Sequence, residues 1–139
     1  MIANRVSQDM VNFGPKATVP EKYQDRRLYE HNPTVTLMRT TSEECGRIAD
    51  FIVDKITRLA KDPSKVEIRI PRGGVSMIAT RGGAFADESA DRRLADTVKK
   101  GLQGSVVKVV EDERDINDEG FAIDIAEQLM ALIGRGKRT

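Results

Sequence analysis

Cysteine, tryptophan and histidine are scarce in these 139 residues: one cysteine, no tryptophan, one histidine. With Cys45 alone there is neither an internal disulfide framework nor a cysteine-based zinc site, and the compartment is expected to be reducing. His31 has no second histidine with which to share a metal, so no metal site is expected. An excess of one charge is also lacking. Against 23 basic side chains stand 22 acidic ones, for a net +1, so no global field draws the protein to nucleic acid or to lipid. No run approaches the roughly 20 apolar residues that span a bilayer, and the start lacks the apolar core of a secretory signal. A cytoplasmic location is the default expectation.

What is present is an alternating pattern. The 39% apolar share is enough for one modest core. Thr34-Val35-Thr36-Leu37-Met38 is rich in strand formers, and Thr41 and Glu44 follow at capping-box spacing. Cys45, Ile48, Ala49, Ile52, Ile56 and Leu59 then fall on one helical face until Asp62-Pro63 ends the run. The unit recurs twice: a strand over 66–70 before a helix capped by Asp87, and a strand over 105–110 before a helix opened by Asn117 or Asp118. Helices between strands imply parallel pairing through right-handed crossovers. The expected fold is therefore a three-layer α/β sandwich on a mainly parallel sheet, with a βαβαβα core over 34–133. Residues 1–33 read as an extension holding one short strand at 10–13 and a long loop, and 134–139 as a basic tail.

In such a sheet the three strand-to-helix passages share one edge, where ligands usually bind. The passages are Arg39-Thr40-Thr41, the long stretch from Pro71 to Ala86, and Asp112 to Asn117. Together they offer Arg39, Arg72 and Arg81, the hydroxyls of Thr40, Thr41 and Ser76, the glycines Gly73, Gly74, Gly82 and Gly83, and the carboxylate of Asp115. Glycines permit close backbone approach, and N–H groups beside a helix start suit phosphate or carboxylate. The bland readings are plain. Gly-Gly pairs punctuate turns, neither pair completes a nucleotide fingerprint, Thr41 serves first as a cap, and Cys45 is a buried thiol.

Several motifs occur in a telling order: Met10-Val11-Asn12-Phe13-Gly14, Arg26-Arg27-Leu28-Tyr29-Glu30-His31-Asn32-Pro33, Thr36-Leu37-Met38-Arg39-Thr40-Thr41, Gly74-Val75-Ser76, Gly82-Gly83-Ala84-Phe85 and Ile116-Asn117-Asp118. In this order the sequence resembles the Tm-one-like family, and specifically the second half of that family's conserved region. One departure stands out: Pro71-Arg72-Gly73-Gly74 replaces the Pro-Leu-Arg-Gly or Pro-Leu-Lys-Gly expected before Val-Ser, displacing the basic residue by one place. The resemblance implies a Rossmann-like α/β fold, ATP as a cofactor, a homo-oligomer, and a missing first half as partner.

Two functional readings follow. In one, the strand-end edge binds a nucleotide or another phosphorylated or carboxylated small molecule through Asn32, Arg39, Thr40, Thr41, Gly73, Gly74, Ser76, Gly82, Gly83 and Asn117, with His31 and Asp115 as acid–base candidates. In the other, the chain is a structural and interaction subdomain whose Asn32, Arg39 and Asn117 hold loops together. No particular reaction is identified by these residues.

Overall fold

A computed structural model describes residues 2–4 and 8–134 of the chain. Six strands and three helices succeed one another: β1 (Ile2–Asn4), β2 (Met10–Phe13), β3 (Leu28–Asn32), β4 (Val35–Arg39), α1 (Ser42–Leu59), β5 (Glu67–Pro71), α2 (Glu88–Gly101), β6 (Lys108–Asp112) and α3 (Glu119–Leu132). The strands form two small sheets. One is parallel with order β1-β5-β6, and the other is antiparallel with order β2-β4-β3.

The helix starts are where the side chains dictate. The Thr41 hydroxyl accepts the Glu44 N–H at 3.2 Å while the Glu44 carboxylate accepts the Thr41 N–H at 2.8 Å, closing the capping box of α1. Asp87 caps α2 by accepting from the Ala90 N–H at 3.0 Å, and Asp118 caps α3 by accepting from Phe121 at 2.9 Å. α1 and α2 lie side by side on one face of the parallel sheet. Cys45, Ala49 and Ile56 of α1 and Ala90, Leu94 and Val98 of α2 pack there against Ile68 and Ile70. Each fully buried Leu, Ile or Val contributes about 1.5–3 kcal/mol, so this cluster dominates the stability. Glu67, Arg69 and Asp112 alternate to the other face, and there Arg114 links Asp112 to Asp124 of α3. Helices thus cover both faces of the parallel sheet.

A single mainly parallel sandwich is not what the chain forms. Of the three strands expected to run parallel, β5 and β6 do pair that way, but β4 lies in the other sheet and is antiparallel to both its neighbours. The cause is local. Asn32 pairs with Val35 across Pro33 and Thr34, and the Asn32 side chain accepts both the N–H and the hydroxyl of Thr34 at 2.9 Å. This tight connection closes a hairpin that commits β4 to β3, and the crossover rule holds only for strands sharing a sheet. The stretch Tyr29–Asn32, expected as an extended loop, is most of strand β3. β1 takes the place beside β5 that β4 was expected to occupy.

The glycine-rich passage joins the two sheets. Val75, Ala79 and Phe85 from that passage pack with Leu37 of β4 in a second buried cluster, flanked by Met10, Val35 and Ile78. Phe85 is fully buried. Its ring also meets Tyr29 of β3 edge-on, with centroids 6.2 Å apart. No helix among the described residues is long and apolar enough to cross a membrane.

Candidate functional site

The three passages expected at one edge do converge, although one of them leaves a different sheet. Arg39, at the end of β4, is buried with only 3% exposure. Its Nε donates to the Phe85 carbonyl at 3.0 Å, Nη1 to the Asp9 carbonyl and the Thr40 hydroxyl, and Nη2 to the Asp87 carbonyl and the Asp91 carboxylate. A guanidinium has five N–H donors, and these five bonds occupy all of them. Arg39 therefore ties β4 to the glycine-rich passage and to the start of α2.

Behind it lies a buried polar cluster. Ser76 donates to the Asp9 carboxylate at 2.7 Å, and the Thr40 hydroxyl donates to the Gln8 carbonyl at 3.0 Å and lies 3.3 Å from the Cys45 thiol. One oxygen of Asp9 is buried without a partner. Asp9 carried no signal in the sequence, because a single acid before a strand looks like any other.

The glycines face protein rather than open space. A Cβ on Gly73 would come within 2.7 Å of the Asp115 backbone nitrogen, and one on Gly83 within 2.3 Å of the Ile78 carbonyl. Gly74, at φ 148°, forms a parallel bridge to Asp115 and sits under the Thr80 backbone. Gly82 differs. It adopts φ 81°, and nothing lies within 4 Å of where its Cβ would be.

Beyond these packed loops a cleft of about 600 Å³ opens at the carboxyl end of β5. Its walls are Pro71 to Gly73, Arg81 and Gly82 from the glycine-rich passage, Asp87, Glu88, Asp91 and Arg92 at the start of α2, and Glu113 after β6. Of the groups named from sequence, Arg72, Gly73, Arg81 and Gly82 line it. Arg39 reaches it only through Asp87 and Asp91. Thr40 and Ser76 lie in the buried cluster, Thr41 caps α1, and His31 and Asn32 are on exposed β3. Asp115 accepts the Asn117 N–H at 2.7 Å in the loop before α3.

Most charges on the cleft are already matched. Arg72 donates to Glu111 at 2.6 Å, Arg92 pairs with Glu88, and Asp91 holds Arg39 at 2.9 Å. Lys99 and Arg72 together hold the Glu111 carboxyl below the usual range. Burial pushes the Asp87 carboxyl up, but the Ala90 N–H and Ser89 hydroxyl bring it down overall. Among the described residues Arg81 has neither hydrogen bond nor ion pair, and the Glu113 side chain makes no hydrogen bond. The sequence places Arg81 at the edge but does not single out Glu113 among the acids of the Asp112–Asn117 passage.

A parallel βαβ unit with a cleft at its strand ends, buttressed by a small antiparallel sheet, defines a mixed α/β domain. The chain belongs to the uncharacterised protein family UPF0261, whose C-terminal domain matches residues 2–133. It is 45% identical over 125 residues to a UPF0261 protein of Clostridium tetani, covering 90% of this chain and 30% of that one. A UPF0261 protein of Mesorhizobium japonicum is 42% identical over 119 residues, or 85% and 29% of the two chains. The tomato ToMV resistance protein Tm-1(GCR237) is 36% identical over 127 residues, or 89% and 16%. The chain thus spans less than a third of the length of these relatives.

Proposed function

We propose that this domain binds a small phosphate- or carboxylate-bearing molecule at the carboxyl edge of its parallel sheet, with Arg81 and the neighbouring backbone at Gly82 as the anion contacts. The observation that carries this reading is the cleft beside β5, with an unpartnered guanidinium on its wall. Its size lies within the range of roughly 300–1,000 Å³ usual for small-molecule sites. Arg39, Thr40, Thr41, Gly74, Ser76 and Gly83 act as the frame of this site rather than its surface. ATP, implied by the family resemblance, is one ligand of the class. Thermal shift tests the reading, because a ligand that binds only the folded state at a hundredfold excess over its Kd adds about 2.7 kcal/mol. A rise in Tm with phosphate, pyrophosphate, ATP or citrate, lost in Arg81→Gln, is expected. No shift with any anion would sink it.

A second reading, an interaction subdomain, draws on α3. Ile123 and Met130 on that helix and Ile133 just past its end are about half exposed, and the relatives carry much more chain than this one spans. An apolar surface of this kind invites a partner, whether a second copy or the rest of a family unit. Sedimentation at micromolar concentration gives a dimer or larger species on this reading, and a monomer opposes self-association.

A further inference from the structure

We infer that the strand-end cleft selects a dipolar ligand, one carrying a protonated amine as well as its anionic group. This deepens the anion-binding reading and rests on it. The acids on the cleft wall, Asp87, Glu88, Asp91 and Glu113, outnumber its arginines, Arg72, Arg81 and Arg92. A ligand that is anionic throughout gains at Arg81 and loses at Asp87 and Glu113, the wall acids without an ion pair among the described residues, since like charges brought together cost free energy. Internal pairing then reduces the wall to two poles. Glu88 and Arg92 neutralise each other, Arg39 takes Asp91, Glu111 takes Arg72, and the Asp87 carboxylate caps α2.

Among the described residues Arg81 remains without a partner, and Glu113, though in the field of Arg72, remains without a hydrogen bond; one is positive and one negative, both are exposed, and different segments of chain supply them. Their backbones are held apart in a fixed relation. Gly73 donates its N–H to the Arg114 carbonyl at 3.1 Å, and Ile116 donates to the Gly74 carbonyl at 2.9 Å, so the loop bearing Glu113 is stitched to the start of the glycine-rich passage. At the far end of that passage, Gly83 donates to Thr80 at 2.8 Å, closing the turn that carries Arg81. Opposite charges without hydrogen-bond partners, carried by hydrogen-bonded loops on one cleft, complement a short dipolar molecule. The ligand class is an amino-carboxylate or an aminoalkyl phosphate, its anion on Arg81 and its ammonium on Glu113.

The test is a calorimetric titration with matched probes. Aminoalkyl phosphates and ω-amino carboxylates of two to six carbons are compared with the phosphates and carboxylates lacking the amine, on the intact chain and on Arg81→Gln and Glu113→Gln. Both positions are exposed, so the variants keep the fold, and circular dichroism checks that they do. At least one dipolar probe is expected to bind tenfold or more tightly than its amine-free match. Glu113→Gln should erase that advantage while leaving anion affinity in place, and Arg81→Gln should remove both. Equal affinity for amine-free anions, unaffected by Glu113→Gln, overturns the dipolar inference and leaves the anion site standing. Absence of binding by every probe overturns both.

Discussion

At the residue scale the deciding side chain is Arg39. An arginine at a strand end beside glycines looks like an anion contact, and in the folded chain its donors are all taken by Phe85, Asp9, Thr40, Asp87 and Asp91. Its chemistry is the same in both readings, and only burial separates them. Truncation strips the Phe85 carbonyl of its hydrogen bond and removes one donor each from the Asp9 and Asp87 carbonyls and the Asp91 carboxylate, and breaking a buried pair from one side costs about 3–5 kcal/mol. Arg39→Ala is therefore expected to lower stability by an amount of that order in urea titration. Gly74→Val should do the same for a different reason. The added Cβ meets the Thr80 backbone at 2.9 Å, in a backbone region that β-branched residues avoid. If either variant unfolds at the wild-type urea concentration, the framing role assigned to these residues is wrong.

At the element scale, helix starts were the most legible feature, because a capping side chain and its N–H lie three residues apart and need no tertiary context. Thr41, Asp87 and Asp118 all cap as their spacing indicates. Strand partners were not legible. β4 has the same residue types as a parallel strand, and its assignment turned on the short Pro33-Thr34 connection to β3, whose residues read as a loop. The convergence of the passages was foreseen for a reason that fails, a shared sheet, and occurs through Arg39 and the apolar side of the glycine-rich passage instead.

The β6–α3 junction shows how one local contact sets a pH response. Hydrogen bonds from Arg114 hold the Asp112 carboxyl down to about 2, against an ordinary 3.8. A carboxyl depressed on folding adds stability above its unfolded pKa and loses it as pH falls through the folded one. The junction should therefore weaken between about pH 4 and pH 2. Glu44, depressed mainly by Arg26, acts in the same direction at the start of α1. In Arg114→Gln the side-chain part of the Asp112 shift is lost while the backbone N–H of residue 114 and the charge of Arg69 remain, so melting temperature should fall less steeply over that interval than in the wild type. Parallel acid limbs for the two proteins would show that Arg114 does not govern Asp112.

At the scale of the whole molecule the question is whether two sheets with two apolar clusters behave as one unit. The larger cluster binds α1 and α2 to β5, and the smaller joins β4 to the glycine-rich passage. That passage belongs covalently to the βαβ unit but buries its apolar side chains against the antiparallel sheet. Phe85 is the bulkiest link, fully buried, touching Tyr29 and carrying the carbonyl that Arg39 Nε binds. Phe-to-Ala changes in a core cost about 3–5 kcal/mol, a large part of a small domain's stability. Phe85→Ala should consequently do more than lower the midpoint. It removes the side chain that couples the sheets, so hydrogen exchange in β2, β3 and β4 should speed up before exchange in β5 and α2. Uniform acceleration across both sheets would mean that the helical core, rather than the glycine-rich passage, carries the coupling. In that case the cleft at Arg81 would keep its shape in the variant, and anion affinity measured on the same sample would be unchanged.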